Sequence, residues 1–429
     1  MKVGIRVKYA VTVSSGVVED ACIIVEGSKI KYVGAEELAP ECDKVYEYEH
    51  GVAIPGLVNM HNHLFQNLLK NWGIDLELLD WLSTAIWPVV PKLTREEMRI
   101  GALLGIAENV RSGATTIVDM HYGNPHFDVV ADAMVEAGIR GFISRGFYEI
   151  EARKELRERL DRVLENMDDL YEEYKGKVGI MPGPMHPCFV SNESLVELHR
   201  WAKDRGTKYY THLAESERDV QLLVRREGLR DAELMHKLGI LDRDFIGVHS
   251  VNLTPREVSL MGQARATAVH CPLSNLYVAD GIAPIVALKR VGANISMATD
   301  GAASNGKLDM FAEMKVATVL QKVAAGDVTA FKAEDALEAA TLGGARALGL
   351  EDEIGSLEEG KEADIVVLDM GSLAGTLSHD PVGYVVYSAS PEDVRLVMSK
   401  GRVLYEDGHF KTIDVRAVLR RARELGIGK

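Results

Sequence analysis

Basic residues are in the minority: 49 Lys and Arg stand against 64 Asp and Glu in 429 residues, a formal charge of −15. A surface that acidic repels a phosphate backbone and argues against nucleic acid as a partner. Cysteine is scarce as well. Cys22, Cys42, Cys188 and Cys271 lie far apart and form no CxxC pair. That spacing argues against a disulfide framework or a cysteine-rich zinc module and suits free thiols in a reducing compartment. No apolar run approaches the roughly 18 residues that cross a bilayer, so no membrane span is expected. The opening Met1-Lys2-Val3-Gly4-Ile5-Arg6 lacks the apolar stretch and small-residue cleavage site of a secretory signal, and a cytoplasmic location is expected. Internal repeats and low-complexity tracts are missing too.

What is present is ordinary in bulk: 47% hydrophobic and 26% charged residues, enough chain for one large domain and a smaller one. Near the start, alternating Val3, Ile5 and Val7, then Cys22–Val25 and Lys29–Val33 across Glu26-Gly27-Ser28, read as a strand and a hairpin. Near the end, residues 363–368 and 394–405 read as further strands, and 414–425 as an amphipathic helix. Neither end carries enough apolar surface to fold alone. Residues 1–55 and 351–429 are therefore expected to join in one small β-sandwich domain, the latter bringing the terminal helix. Between them, apolar runs at 52–60, 115–120, 141–148, 178–182, 208–213, 245–251, 267–271 and 294–299 alternate with helical segments such as 95–112, 155–174 and 192–205. Such units over 56–350 predict a (β/α)₈ TIM-like barrel, although a doubly wound sheet shares the local pattern.

Ionisable residues recur where these runs stop. His61 and His63 are two apart on a strand and share a face. His212 ends the fifth run, with Glu215 three residues on; His249 ends the sixth, and Asp300 follows the eighth. Each alone reads as a cap or a core histidine. Together His61, His63, His212 and Asp300 supply three imidazoles and a carboxylate, a ligand set for one divalent ion: zinc first, with ferrous or manganese ion as alternatives. Such an ion acidifies a bound water, and Asp300 is placed both to ligate and to take its proton. His249 is placed to hold the resulting hydroxide, and Glu215 to move a proton to a ring nitrogen and a leaving amine.

HxH after strand one, His-Leu-x-Glu after strand five, His after strand six and Thr299-Asp300-Gly301 after strand eight resemble the amidohydrolase superfamily. The nearest branch is similar to the methylthioadenosine/S-adenosylhomocysteine deaminase and chlorohydrolase group. The resemblance covers nearly the whole chain, including His270-Cys271-Pro272-Leu273-Ser274-Asn275 and the ending Gly355–Asp364. It implies a mononuclear metal-dependent aminohydrolase that releases ammonia from a nitrogen heterocycle, either an adenosine derivative or a purine-type base. Guanine-type or aminotriazine deamination, dechlorination, and a barrel kept only for binding are the alternatives. A small-molecule substrate and a homo-oligomer are expected.

The resemblance also suggests substrate contacts. Gln66, three residues after His63, is similar to guanine- and 8-oxoguanine-type relatives, and its amide can both donate and accept. Arg145 resembles the family arginine that meets a substrate carboxylate. His186 stands near the end of strand four, one position from the family's usual histidine. Trp72, Trp81 and Trp87 are candidate walls of an aromatic slot, and Asn305 closes the Thr299–Asn305 string. Val90 occupies the place of the glutamate with which adenosine-processing members read ribose hydroxyls. A valine accepts no hydrogen bond, which weighs toward a free base.

Overall fold

The structure, a computed structural model, describes residues 1–426; the last three residues of the expected C-terminal segment lie outside the described ones. Two parallel four-stranded sheets form its centre. One holds β1 (Leu57–Asn62), β2 (Ala114–His121), β3 (Arg140–Phe147) and β4 (Val178–Pro184) in sequence order. The other holds β5 (Tyr209–Leu213), β6 (Phe245–His249), β7 (Thr267–His270) and β8 (Asn294–Met297), again in order. Every residue of β1, β2, β5, β6 and β7 is buried, as expected of parallel strands covered on both faces by their crossover helices. The two sheets meet at both edges. Thr211 Oγ1 donates to the Pro184 carbonyl at 2.7 Å, and Asp300 N–H donates to the His61 carbonyl at 3.1 Å.

The helices follow their sequence signals. Arg95–Arg111 starts at a reciprocal Thr94/Glu97 capping box, and Asn192–Arg205 starts at Ser191 and stops at left-handed Gly206. One expectation needs correction: residues 52–60 are not one strand. Lys44–Pro55 belongs to another sheet, and the chain steps into β1 at Gly56, whose N–H bonds the Asp364 carbonyl at 2.8 Å. Any side chain at Gly56 would collide with Thr115, 2.1 Å from where its Cβ would stand. The apolar pattern runs straight through because both strands are buried beside the step.

That other sheet has eight strands drawn from both chain ends. Lys44–Pro55 is its joint, parallel to Lys2–Val11 on one side and antiparallel to Ile365–Asp369 on the other. Val17–Glu26 and Lys29–Ala35 extend one wing; Val394–Ser399, Arg402–Glu406 and His409–Phe410 extend the other. A separate apolar cluster mixes the two ends, with Ile5, Val7, Ile23 and Val25 packed with Ile365, Val367, Leu396 and Met398. The helix Val415–Leu425 docks elsewhere, on Arg95–Arg111, where Arg421 Nε donates to Glu96 at 2.6 Å. All four cysteines are free thiols, and no described helix is long and apolar enough to cross a membrane.

Candidate active site

The ionisable strand endings converge at the C-terminal ends of β1, β5, β6 and β8. Each imidazole is aimed by a bond to its outer nitrogen. His63 Nδ1 lies 2.7 Å from the Met120 carbonyl, and His212 Nδ1 bonds the Met185 carbonyl. A carbonyl only accepts, so both Nδ1 atoms carry the proton. Tyr210 spends its hydroxyl hydrogen on the Met60 carbonyl at 2.8 Å and so accepts from His61 Nδ1 at 2.6 Å. His249 Nδ1 donates to Asn275 Oδ1 at 2.8 Å. All four Nε2 atoms are thereby left with lone pairs.

Those lone pairs face one another. His61 Nε2 is 3.2 Å from His212 Nε2 and 3.2 Å from Asp300 Oδ1, which is itself 3.4 Å from His63 Nε2. Acceptors this close repel unless a cation lies among them, and three imidazoles with one carboxylate are a divalent ion's donor set. His249 shares one potential ligand group with His61 and His212, and another with Glu215 and Asp300. Burial, which penalises the charged ring, pushes His61 down to about 3 and lowers His63, His212 and His249. The rings are thus in the neutral form that ligation requires.

The carboxylates are set with equal care. Asp300 Oδ2 accepts from Ser274 Oγ at 2.6 Å and Ser304 Oγ at 2.9 Å, turning Oδ1 toward the histidines. Asp300 and His249 hold left-handed backbone angles, φ 61° and 70°, which non-glycine residues rarely adopt and which re-aim a side chain at a strand end. Glu215 Oε1 lies 3.4 Å from His249 Nε2. Its carboxyl is raised well above the usual range by burial, then by the charges of Asp280, Asp300 and Asp219.

A cavity of about 40 Å³ opens on this cluster. His63, His212, Glu215 and Asp300 form its floor; Gln66, Tyr122, Tyr148, His186 and Asp219 supply its other polar groups. Leu78, Leu79, Trp81 and Leu82 roof it, and Met185 and Phe189 complete the wall. Gln66 packs onto Gly301, where a Cβ would stand 1.9 Å from its Oε1. Among the described residues no Lys or Arg lines the cavity. A larger cleft of about 480 Å³ near Thr267 and Asn294, at the opposite strand ends, is lined by charged pairs such as Arg346–Glu338 and gathers no comparable ligand set.

Several expected substrate contacts stand elsewhere. Arg145 is turned away: it forms a two-pronged pair with Glu158, bonds Asn166 at 3.1 Å and stacks on Phe127. Trp87 stands one layer behind the wall, its Nε1 donating to Tyr148 Oη at 3.1 Å, and Trp81 takes the lining position. Trp72 contributes its carbonyl to Trp81 Nε1 at 2.8 Å. Asn305 braces the β8 loop by donating to the Thr299 carbonyl and Glu313 Oε1, both at 2.6 Å. Val90 packs toward Gly123 and does not line the closed cavity. Residues that aim the site were missed: Tyr210, Ser274, Asn275, Ser304, and Asn59, which binds Thr299 through both its amide atoms at 2.8 and 3.0 Å. Tyr210 alone left a signal, being two residues before His212 and hence on the same strand face.

Known proteins share this architecture from end to end. A 5-methylthioadenosine/S-adenosylhomocysteine deaminase of Moorella thermoacetica is 36% identical over 411 residues, 95% of each chain. A 5'-deoxyadenosine deaminase of Methanopyrus kandleri is 34% identical over 416 residues, again 95% of each. The crystal structure of an adenosine deaminase of Xanthomonas campestris with bound zinc superposes with a TM-score of 0.93 at 31% identity, covering 98% of this chain and 97% of that one. The model of the Amidohydrolase family matches residues 52–404, a span that holds every strand ending described above, and the chain belongs to that family.

Proposed function

We propose that this protein is a divalent-metal aminohydrolase acting on an adenine nucleoside altered at its 5' position. The observation that carries the reading is the convergence of four Nε2 lone pairs and Asp300 beside Glu215 at the floor of a buried cavity. The 36% and 34% identical relatives supply the nucleoside. The two parallel sheets act as one (β/α)₈ barrel over 56–350. The eight-stranded sheet, folded over its own apolar cluster, acts as a sandwich built from 1–55 and 351–429.

His61, His63, His212 and Asp300 would hold the ion, and zinc is favoured because the Xanthomonas structure carries it. When bound, such an ion lowers the pKa of a water toward about 7. Asp300 Oδ1 receives a proton from the attacking water, while Ser274 and Ser304 keep Oδ2 from turning inward. Glu215, protonated through burial, gives its proton to the ring nitrogen next to the attacked carbon. With water oxygen bonded to that carbon, Asp300 passes its proton to the amine and Glu215, now a carboxylate, takes the proton of the new hydroxyl. The carbon–nitrogen bond breaks, ammonia leaves, the carbonyl forms, and Asp300 is again ionised and Glu215 again protonated. His249, held by Asn275, donates no proton from Nε2 and serves to orient.

Ammonia release should be measured with zinc-reloaded and metal-stripped protein on methylthioadenosine, S-adenosylhomocysteine, 5'-deoxyadenosine, free adenine and guanine, and aminotriazines. Zinc-dependent turnover of the nucleosides, at least tenfold above the free bases in kcat/KM, is expected. Zinc-loaded protein that releases ammonia from none of them would sink the reading; preference for free bases would return the argument to Gln66.

A further inference from the structure

Glu215 stands on a segment that does not hold itself in place. Ala214 before it has φ 47°, a left-handed conformation that a Cβ-bearing residue rarely adopts. The two N–H groups flanking Glu215 go to two buried carboxylates. Ala214 N–H donates to Asp231 Oδ1 at 3.1 Å, and Ser216 N–H donates to Asp219 Oδ2 at 3.0 Å. The carbonyls go to one residue, Asn252, whose N–H meets the Ala214 carbonyl at 2.8 Å and whose amide meets the Glu215 carbonyl at 2.6 Å.

One ring joins the two carboxylates. His186 Nε2 lies 2.6 Å from Asp231 Oδ1 and 3.5 Å from Asp219 Oδ1. His186 Nδ1 accepts the Cys188 N–H at 3.2 Å, which leaves the proton on Nε2, the atom that faces Asp231 across the close ion-pair contact. The ring and both carboxylates are almost wholly buried, and Asp231 has no exposed surface. Buried carboxylates are costly unless bonded; the backbone hydrogen bonds these accept come from the Ala214 and Ser216 N–H groups, and His186 faces both as an ion-pair partner. The preceding Met185 carbonyl orients the metal-ligand candidate His212. Residues 185 and 186 thus grip the β5 ending on both sides of Glu215.

We propose that His186 and Asp231, with Asp219, form a buried clamp that positions Glu215. His186 is then a positioning residue, not the ring contact suggested by its place in the sequence. The inference rests on the reading of Glu215 as the proton carrier. Asp231 is the clean probe because, unlike His186 and Asp219, it does not line the cavity.

The test compares Asp231→Ala with Asp231→Asn, and His186→Ala with His186→Gln, in zinc-loaded full-length protein. Asn keeps an oxygen for the Ala214 N–H and the His186 N–H, and Gln can place an N–H near Nε2. Both alanine variants should lose about 10- to 100-fold in kcat, the scale of a displaced proton carrier. KM should stay within twofold, zinc content should be unchanged, and Asn and Gln should restore most of the rate. Hydrogen exchange over 213–220 should quicken in Asp231→Ala and not in Asp231→Asn. A folded, zinc-loaded Asp231→Ala protein with wild-type kcat overturns the clamp. Should Asp231→Ala fail to fold, the His186 pair decides, since a rise in KM alone would make that ring a substrate contact. Glu215→Gln runs alongside: if it keeps turnover, the reading of Glu215 falls and the clamp with it; if it is inactive while Asp231→Ala is not, only the clamp falls.

Discussion

Glu215 Oε1 and His249 Nε2 lie 3.4 Å apart at the ends of adjacent strands, β5 and β6, with the His249 ring pinned from behind by Asn275. The contact sets a carboxyl whose pKa burial raises against an imidazole whose Nε2 carries no proton.

Glu215→Gln removes the transferable proton and preserves shape. It should lower kcat by about 10²- to 10⁴-fold, the usual scale of general acid–base catalysis, with bound zinc unchanged by elemental analysis. Because Glu215 acts in its protonated form, the wild-type rate should fall as pH rises through its elevated pKa. A Gln variant keeping more than a tenth of the wild-type kcat would remove Glu215 from the mechanism.

Most of this centre was legible in the sequence because strand ends are. A hydrophobic run that stops at a histidine fixes both depth and face, so His61, His63, His212, His249 and Asp300 could be grouped before any coordinates. The parts that escaped depend on chain crossings. The Met120 and Met185 carbonyls aim imidazoles from neighbouring strands and Tyr210 aims His61 from the other sheet, and no one-dimensional pattern pairs them. Arg145 and Asn305 were read from position alone: each ends in the expected neighbourhood, and the bonds it makes are to Glu158 or Glu313, partners invisible to spacing. The joint strand Lys44–Pro55 escaped because its first seven residues are not buried and their alternation, Tyr46-Glu47-Tyr48-Glu49, is short.

Arg145→Gln separates the two placements of that residue. If the guanidinium met the substrate, KM would rise by an order of magnitude or more. Tied to Glu158 and only 3% exposed, it should instead cost stability, about 3–5 kcal/mol for a broken buried pair and less here because Glu158 is one-third exposed. Steady-state kinetics and thermal unfolding on the same preparation should show a lowered Tm with KM within twofold.

Asp280 predicts a dependence of stability on pH. Burial, then the charges of Asp219 and Asp300, push its carboxyl up to about 8, and its Oδ2 is buried without a partner. An unfolded aspartate titrates near 3.9. The folded protein therefore binds this proton more tightly, and that stabilisation is complete below about pH 4 and lost as pH climbs through about 8. Asp280→Asn abolishes the titration. Its Tm relative to wild type should rise steadily from pH 5 to pH 9, and a difference that stays flat across that range would contradict the assignment.

The roof over the cavity must move. A void of about 40 Å³ is far below the roughly 300–1,000 Å³ of ordinary ligand pockets, and the residues closing it, Leu78 to Leu82, belong to an excursion between β1 and the helix Arg95–Arg111. Arg218, three residues past Glu215, pairs with Glu77 and with Asp80 at 3.1 Å, and Arg153 donates to the Ser83 carbonyl at 2.9 Å. These are surface latches. Exposed ion pairs contribute about 0.2–1 kcal/mol each, so Arg218→Ala, which loses two, should shift the opening equilibrium by about 2- to 30-fold, about the same factor in KM. Hydrogen exchange across 76–86 should quicken in the variant, and raised salt should move the wild type in the same direction because it screens the pairs. Unchanged exchange together with a salt-independent KM would mean that substrate enters by another route.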